Sequence, residues 1–188
     1  TRLAAYRKIM ARAVDNEAIG RNDHQQRPEL LNAIVEASEI VEISELEDRH
    51  FEAADVLHKL KQVCGGPETM APERADPARD YAFELHTAAV LQRQGGFGGF
   101  SDKNGDLTVA EERYPAECKR VSSLDSLRTR LRKGREKLGQ LMQDGGLPGV
   151  IAIDITRPVR IAHGPIRAES VEQFVQVAEQ RLAAYLPE

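Results

Sequence analysis

The chain has 188 residues, of which 41% are hydrophobic and 30% charged, enough to bury the core of one domain and leave room for a small second one while the surface stays hydrated. No run approaches about 18 apolar residues, so a membrane-spanning helix is not expected, and no charged-then-apolar leader opens the sequence. Two cysteines, Cys64 and Cys118, make neither a disulfide framework nor a zinc spacing, which points to a reducing, cytoplasmic setting; the net charge of −4 does not by itself advertise a nucleic-acid partner.

Residues 1 to about 62 read as helices. Leu3, Tyr6, Ile9, Met10 and Val14 form one apolar stripe, and Leu30, Leu31, Ile34 and Val35, continued by Ile40 to Ile43, a second, with Arg27-Pro28 at its start. Leu46, Phe51, Ala54, Leu57 and Leu60 form a third. Between Glu36 and Asp55 there are eight acids and one base, Arg49. That run reads as a solvated helix face, or alternatively as a charged surface that docks a partner or masks the basic half of the molecule. Cys64-Gly65-Gly66-Pro67-Glu68, followed by Pro72 and Pro77, has linker composition, which sets a boundary near residue 76 between a helical region (1–75) and a second region (76–188).

Beyond the linker, Asp80 is positioned to cap a helix running to about Gln94, with Gly95 as its stop. Gly95 to Phe100 is a glycine-phenylalanine stretch that lacks the Lys-Ser/Thr of a phosphate loop and reads as the entrance to a strand. Asn104-Gly105 is a hairpin signal, and Leu107 to Glu111 and Tyr114 to Val121 read as the next two strands. Ser122 or Ser123 is placed to cap a long helix with Leu124, Leu127, Leu131, Leu138 and Leu141 at three- and four-residue steps, ended by Gly145-Gly146. Val150 to Ile155, short and β-branched, predicts a buried strand, and a last helix is expected from about Ser170 to Tyr185. The order is helix, three strands, helix, strand, helix, preceded by the N-terminal helices: an α/β fold with a mixed sheet.

The chemistry concentrates in the segment from Asp106 to Lys119. If the two strands turn near Glu111-Glu112, antiparallel pairing sets Asp106 opposite Glu117, with Cβ atoms about 5 Å apart on one face. Two carboxylates so placed repel each other, and a divalent cation relieves them; oxygen ligands suit Mg²⁺ or Mn²⁺. Alternation puts Lys119 on the Glu117 face and Cys118 on the other. Two carboxylates and an ammonium can together hold a metal, orient water and offset charge on a phosphate. The same hairpin also reads as an ordinary cross-strand salt bridge.

The surrounding order of elements resembles the PD-(D/E)XK, or restriction-endonuclease-like, nuclease superfamily over roughly residues 78–156. Tyr81-Ala-Phe-Glu84-Leu matches the helix that carries a Glu, Gly105-Asp106-Leu107 the Asp, and Pro115-Ala-Glu117-Cys118-Lys119-Arg120 the Glu-x-Lys. Leu138-Gly139-Gln140-Leu141 and Gly149-Val-Ile-Ala-Ile153 match the helix and strand that follow. The resemblance implies that Asp106 and Glu117 bind Mg²⁺ or Mn²⁺ with the Cys118 carbonyl adding a ligand, that Lys119 positions the attacking water and stabilises developing charge, that Glu84 reaches the metal, and that Gln140 faces the site. Gly105 stands where the family has Pro. Asp144 stands where the exonuclease branch with a Gln-x-x-x-Tyr motif has Tyr, so that branch is not assigned.

Eight basic residues between Lys119 and Lys137, against Asp125 and Glu136, suit a phosphate backbone. Arg120, Ser122, Arg128, Arg132, Lys133 and Arg135 are therefore candidate nucleic-acid contacts; a hydrated face opposite the leucine stripe is the other reading. Asp102 and Asp154 are acids near strand ends without the Glu-x-Lys register. His86 is expected to point away from Glu84 as a packed or solvent-edge histidine, and His24, His50, His58 and His163 show no ligand spacing. The expected activity is metal-dependent hydrolysis of phosphodiesters, with DNA as substrate; the alternative is a non-catalytic nucleic-acid-binding or protein-interaction module on the same fold. The helical region's role stays open between dimerisation, partner docking and substrate guidance.

Overall fold

A computed structural model describes residues 2–15, 26–51, 54–67, 76–101, 106–110, 114–121, 123–143, 146–155 and 168–183. Among the described residues the helical part comes first, as α1 (Arg2–Asp15), α2 (Gln26–Ile43), α3 (Asp48–Phe51) and α4 (Ala54–Gly65). The α/β part follows as α5 (Pro77–Arg93), β1 (Phe97–Phe100), β2 (Leu107–Val109), β3 (Tyr114–Arg120), α6 (Leu124–Gln143), β4 (Val150–Asp154) and α7 (Val171–Ala183). This is the α/β order expected from the sequence. The third apolar stripe lies on α3 and α4, and residues 52–53 between them fall outside the described residues.

Local chemistry explains the helix ends. Asp76, not Asp80, caps α5: its side chain accepts the Arg79 N–H at 3.3 Å, and Pro77 occupies the first turn, where a missing N–H costs nothing. Asp80 lies one turn in and is half-buried. That burial pushes its carboxyl up, against the opposing charges of Arg130, Arg120 and Lys119. Ser123 starts α6 by accepting the Ser126 N–H on its hydroxyl at 3.3 Å, and Ser170 does the same for Gln173 at the start of α7, at 3.2 Å. Ser122, the other proposed cap and a proposed phosphate contact, lies outside the described residues, as do His24, Asp102, the Asn104-Gly105 pair, Glu111-Glu112, Asp144, His163 and the linker from Glu68 to Ala75.

The four strands lie in the order β1-β2-β3-β4. The first three pair antiparallel and β4 runs parallel to β3, with α6 as the crossover. The sequence predicts that β4 is buried, but its residues are half-exposed and Val150 is exposed. Among the described residues it has a sheet neighbour, β3, on one side only. Where α6 crosses β4 the helix backbone lies close against the Ile151 side chain: a Cβ at Gly134 would stand 3.1 Å from Ile151 Cδ1. The same helix brings Lys137 to Glu117 of β3.

One apolar core joins both halves of the chain. Ile43, Leu46, Val56 and Val63 from the helical region pack with Ala82, Leu85, Ala88 and Ala89 of α5 and with Leu107 and Ala116 of the sheet. The boundary near residue 76 is thus a change of composition across which the core continues. The acidic run on α2 also departs from a purely solvated face. Glu36 is buried between Arg2 and Arg79, Glu39 pairs with Arg120, and Glu42 meets His86 and Arg93. Acids do mask bases here, within the chain, as α2 lays its carboxylates along α5 and the end of β3.

Candidate active site

The site is built on the β2–β3 pairing. Leu107 pairs with Ala116, Thr108 with Pro115 and Val109 with Tyr114. Just before the paired residues, the Asp106 N–H donates to the Ala116 carbonyl at 2.9 Å, which holds Asp106 beside β3. The Asp106 carboxylate then turns across the strand, and its Oδ2 accepts the Cys118 N–H at 2.7 Å and the Lys119 ammonium at 3.3 Å. Lys119 Nζ also donates to Glu117 Oε2 at 2.5 Å and to the Cys118 carbonyl at 3.1 Å. Asp106, Glu117, Lys119 and the Cys118 carbonyl oxygen therefore meet at one place.

Glu117 is fully buried. A charged carboxylate without solvent requires cations or strong donors around it. Lys119 supplies one from the same strand and Lys137 a second from α6. Lys137 Nζ touches Glu117 Oε1 and lies 3.5 Å from Asp106 Oδ1. Its approach to Oε1 is off the line of a hydrogen bond, so that buried oxygen accepts none. Burial works against the Lys119 ammonium, but the Glu117 and Asp106 carboxylates outweigh it and hold its pKa above the ordinary lysine value. Lys119 is thus a fixed cation here.

Glu84 stands on the neighbouring helix α5, buried, with its carboxylate in an ion pair with Lys59 of α4. Burial pushes its pKa up to about 7, against the pull of Lys59; the Asp106 charge adds to the rise and Lys119 lowers it. Glu84 is near enough to sense the site, although its hydrogen bond goes to Lys59. Lys59 in turn lies 5.7 Å from the centre of the Phe100 ring, so the glycine-phenylalanine strand forms its apolar wall. Cys118 points to the other face, against the core. Burial pushes its thiol up to about 12, with Asp106 and Glu84 adding to the shift, which leaves only its carbonyl relevant to chemistry.

Several sequence-derived candidates fall elsewhere. Arg120 is turned to the α5 side by strand alternation and does not present itself to a phosphate. It pairs with Glu39 at 2.5 Å and Asp154 at 2.6 Å, donates to the Arg79 carbonyl at 3.1 Å, and lies over the Phe83 ring. Gln140 is exposed on α6, and the α6 residue that reaches the carboxylates is Lys137, three positions earlier. Arg128, Arg132, Lys133 and Arg135 are exposed, with Arg132 in a loose pair with Glu136. His86 meets Glu42 at 2.9 Å at the helix edge. His50 packs against Phe97 and Phe100, and burial lowers its pKa.

No local sequence pattern marks Lys59 or Lys137 as part of the site. Lys59 lies 25 residues from Glu84 across the linker, and Lys137 is one of a run of similar bases.

Among the described residues no three His, Cys, Asp or Glu side chains cluster as a metal site. The oxygen set is two carboxylates and one carbonyl. It is hard and anionic, and the buried Glu117 Oε1 meets the Lys137 ammonium outside hydrogen-bond geometry, so the donor chemistry of the set fits Mg²⁺ or Mn²⁺. Comparison with protein-family models, with curated proteins and with solved structures finds no significant match.

Proposed function

We propose that this protein is a nuclease of the PD-(D/E)XK kind, hydrolysing phosphodiester bonds, with DNA as the expected substrate, in the presence of Mg²⁺ or Mn²⁺. The observation that carries the reading is the convergence of Asp106, Glu117, Lys119 and the Cys118 carbonyl, with Glu117 buried. Asp106, Glu117 and the Cys118 carbonyl would hold the metal. A divalent ion held there supplies Lewis acidity toward the phosphoryl oxygen and acidifies water. Lys119, anchored by both carboxylates, positions the attacking water and offers its charge to the phosphate as negative charge develops. Glu84, with its pKa near neutrality, is placed to exchange a proton with water near the site.

One observation favours the non-catalytic module as a second reading. Lys119 and Lys137 already neutralise the two carboxylates within the chain. A site satisfied by its own lysines is stable without a metal and needs no turnover. The discriminating experiment is cleavage of labelled single- and double-stranded DNA and RNA with Mg²⁺ or Mn²⁺. Cleavage that disappears in Glu117→Ala, and is partly restored by raised Mn²⁺, supports the nuclease. Binding without cleavage in the wild type supports the module.

The exposed bases on α6 make a further expected result. Replacing Arg128, Arg132 and Arg135 together by Ala should weaken nucleic-acid binding and flatten its dependence on salt. On duplex DNA the log–log slope should fall by about 0.9 for each phosphate that the variant no longer neutralises. Fluorescence anisotropy across a salt series measures this. An unchanged slope and affinity would move the binding surface off this helix.

A further inference from the structure

We propose that Lys137 is a built-in counter-ion that competes with the divalent metal for Asp106 and Glu117, so that metal entry displaces it into solvent. The inference rests on the nuclease reading of the site and adds a residue that governs how that site is loaded.

Three observations lead here. First, Lys137 contacts the same oxygens that a metal would need. Its Nζ touches Glu117 Oε1 and lies 3.5 Å from Asp106 Oδ1. Second, the contact to Glu117 lacks hydrogen-bond geometry, whereas Lys119 holds the other oxygen, Oε2, at 2.5 Å in hydrogen-bonding geometry. The two lysines are thus not equivalent: one is tied to the strand, the other leans in from a helix. Third, the Lys137 side chain is 46% exposed, against 18% for Lys119. Its tip can swing to water about its own four-carbon stem without disturbing α6, while Lys119 is enclosed by both carboxylates and the Cys118 carbonyl.

The electrostatics follow. A fully buried Glu117 beside Asp106 is tolerated as a carboxylate where positive charge lies against it. Before a metal binds, Lys137 and Lys119 provide it. A divalent ion held by Asp106 and Glu117 would bring two positive charges against the Lys137 ammonium at close range, where repulsion is strong. The more exposed and less well bonded cation leaves. Every metal-binding event then includes the displacement of Lys137, which weakens the apparent metal affinity and keeps the site intact when metal is scarce.

The test uses Mn²⁺ as the probe and the whole chain at fixed pH. Binding is measured by calorimetry and by loss of the free Mn²⁺ electron-spin resonance signal, for wild type, Lys137→Ala, Lys137→Met and Lys133→Ala, with Asp106→Asn to define binding at the site. Lys133 lies one turn away on the same helix, exposed, and controls for general charge. Lys137→Met keeps the apolar stem and guards against a packing defect. Both Lys137 variants should bind Mn²⁺ about tenfold or more tightly than wild type, as expected for removing a cation in direct contact, and Lys133→Ala should bind close to wild type. Thermal melts supply the second readout: Lys137→Met should melt below wild type without Mn²⁺, and the gap should close at saturating Mn²⁺. If the wild type binds Mn²⁺ at the Asp106-dependent site and both Lys137 variants bind no more tightly, the counter-ion proposal is wrong and the metal site stands. If neither wild type nor any variant binds Mn²⁺, the proposal and the metal-dependent reading fall together.

Discussion

Lys119→Ala should lower the rate of phosphodiester cleavage by about 10²-fold or more while leaving affinity for uncut nucleic acid nearly unchanged. The expected size is that of losing one preorganised charge-stabilising group in a water-poor site. The structure makes the substitution selective. Asp106 Oδ2 keeps the Cys118 N–H as a donor, and Lys137 still neutralises Glu117 until a metal enters, so the oxygens proposed to hold the metal stay in place. Binding depends on many phosphate contacts, of which this lysine is at most one. Single-turnover cleavage and equilibrium binding, measured on the same substrate with Mg²⁺ or Mn²⁺ present, separate the two effects. A variant that cuts as fast as wild type removes Lys119 from the chemistry; one that loses binding in proportion to rate makes it a substrate contact and nothing more.

Glu36→Ala should destabilise the fold by roughly 3–5 kcal/mol, the size seen when one partner of a buried ion network is removed. At about 2–4 °C per kcal/mol for a chain of this length, that is a fall of roughly 6–20 °C in Tm. Glu36 is buried on α2 and accepts Arg2 Nε at 3.0 Å and Arg79 Nε at 2.8 Å, with the Tyr6 hydroxyl also bonded to it. Arg2 and Arg79 are themselves almost fully buried. Truncation of the acid strands two guanidinium groups among α1, α2 and α5 with no solvent to replace it. Asp76 still pairs with Arg79, which limits the loss on that side. Urea or thermal unfolding measures the change. A loss under about 1 kcal/mol would mean that the network relaxes to water, and that the helical region is less tightly joined to the sheet than its shared core implies.

The β2–β3 hairpin shows how far local sequence reaches. Strand pairing has a period of two, so a turn near Glu111-Glu112 is enough to set Asp106 against Glu117 and to place Lys119 with Glu117 on one face and Cys118 on the other. The same alternation also puts Arg120 on the Cys118 face. Arg120 joins the candidate phosphate contacts only when it is counted with the basic run; following the strand removes it. Helix caps are legible for the same reason, as a cap is an interaction over three or four residues. Asp76 is the harder cap to see because Pro77, which opens the helix, also fits the composition of the linker before it.

What the sequence by itself determined is the order of elements, the mixed α/β class and the set Asp106, Glu117 and Lys119, because each depends on spacings within one helix or one hairpin. Only the tertiary structure decided which acids and bases meet. Glu36 with Arg79, Glu39 with Arg120, Lys59 with Glu84 and Lys137 with Glu117 are pairs of residues 20 to 81 positions apart. Charge type alone cannot select among the chain's 26 lysines and arginines and 30 acids. The selection is made by packing, as α2 and α4 close on α5 through the common apolar core and α6 crosses β4 at Gly134, and only then do the side chains that survive burial find the partners that make it tolerable.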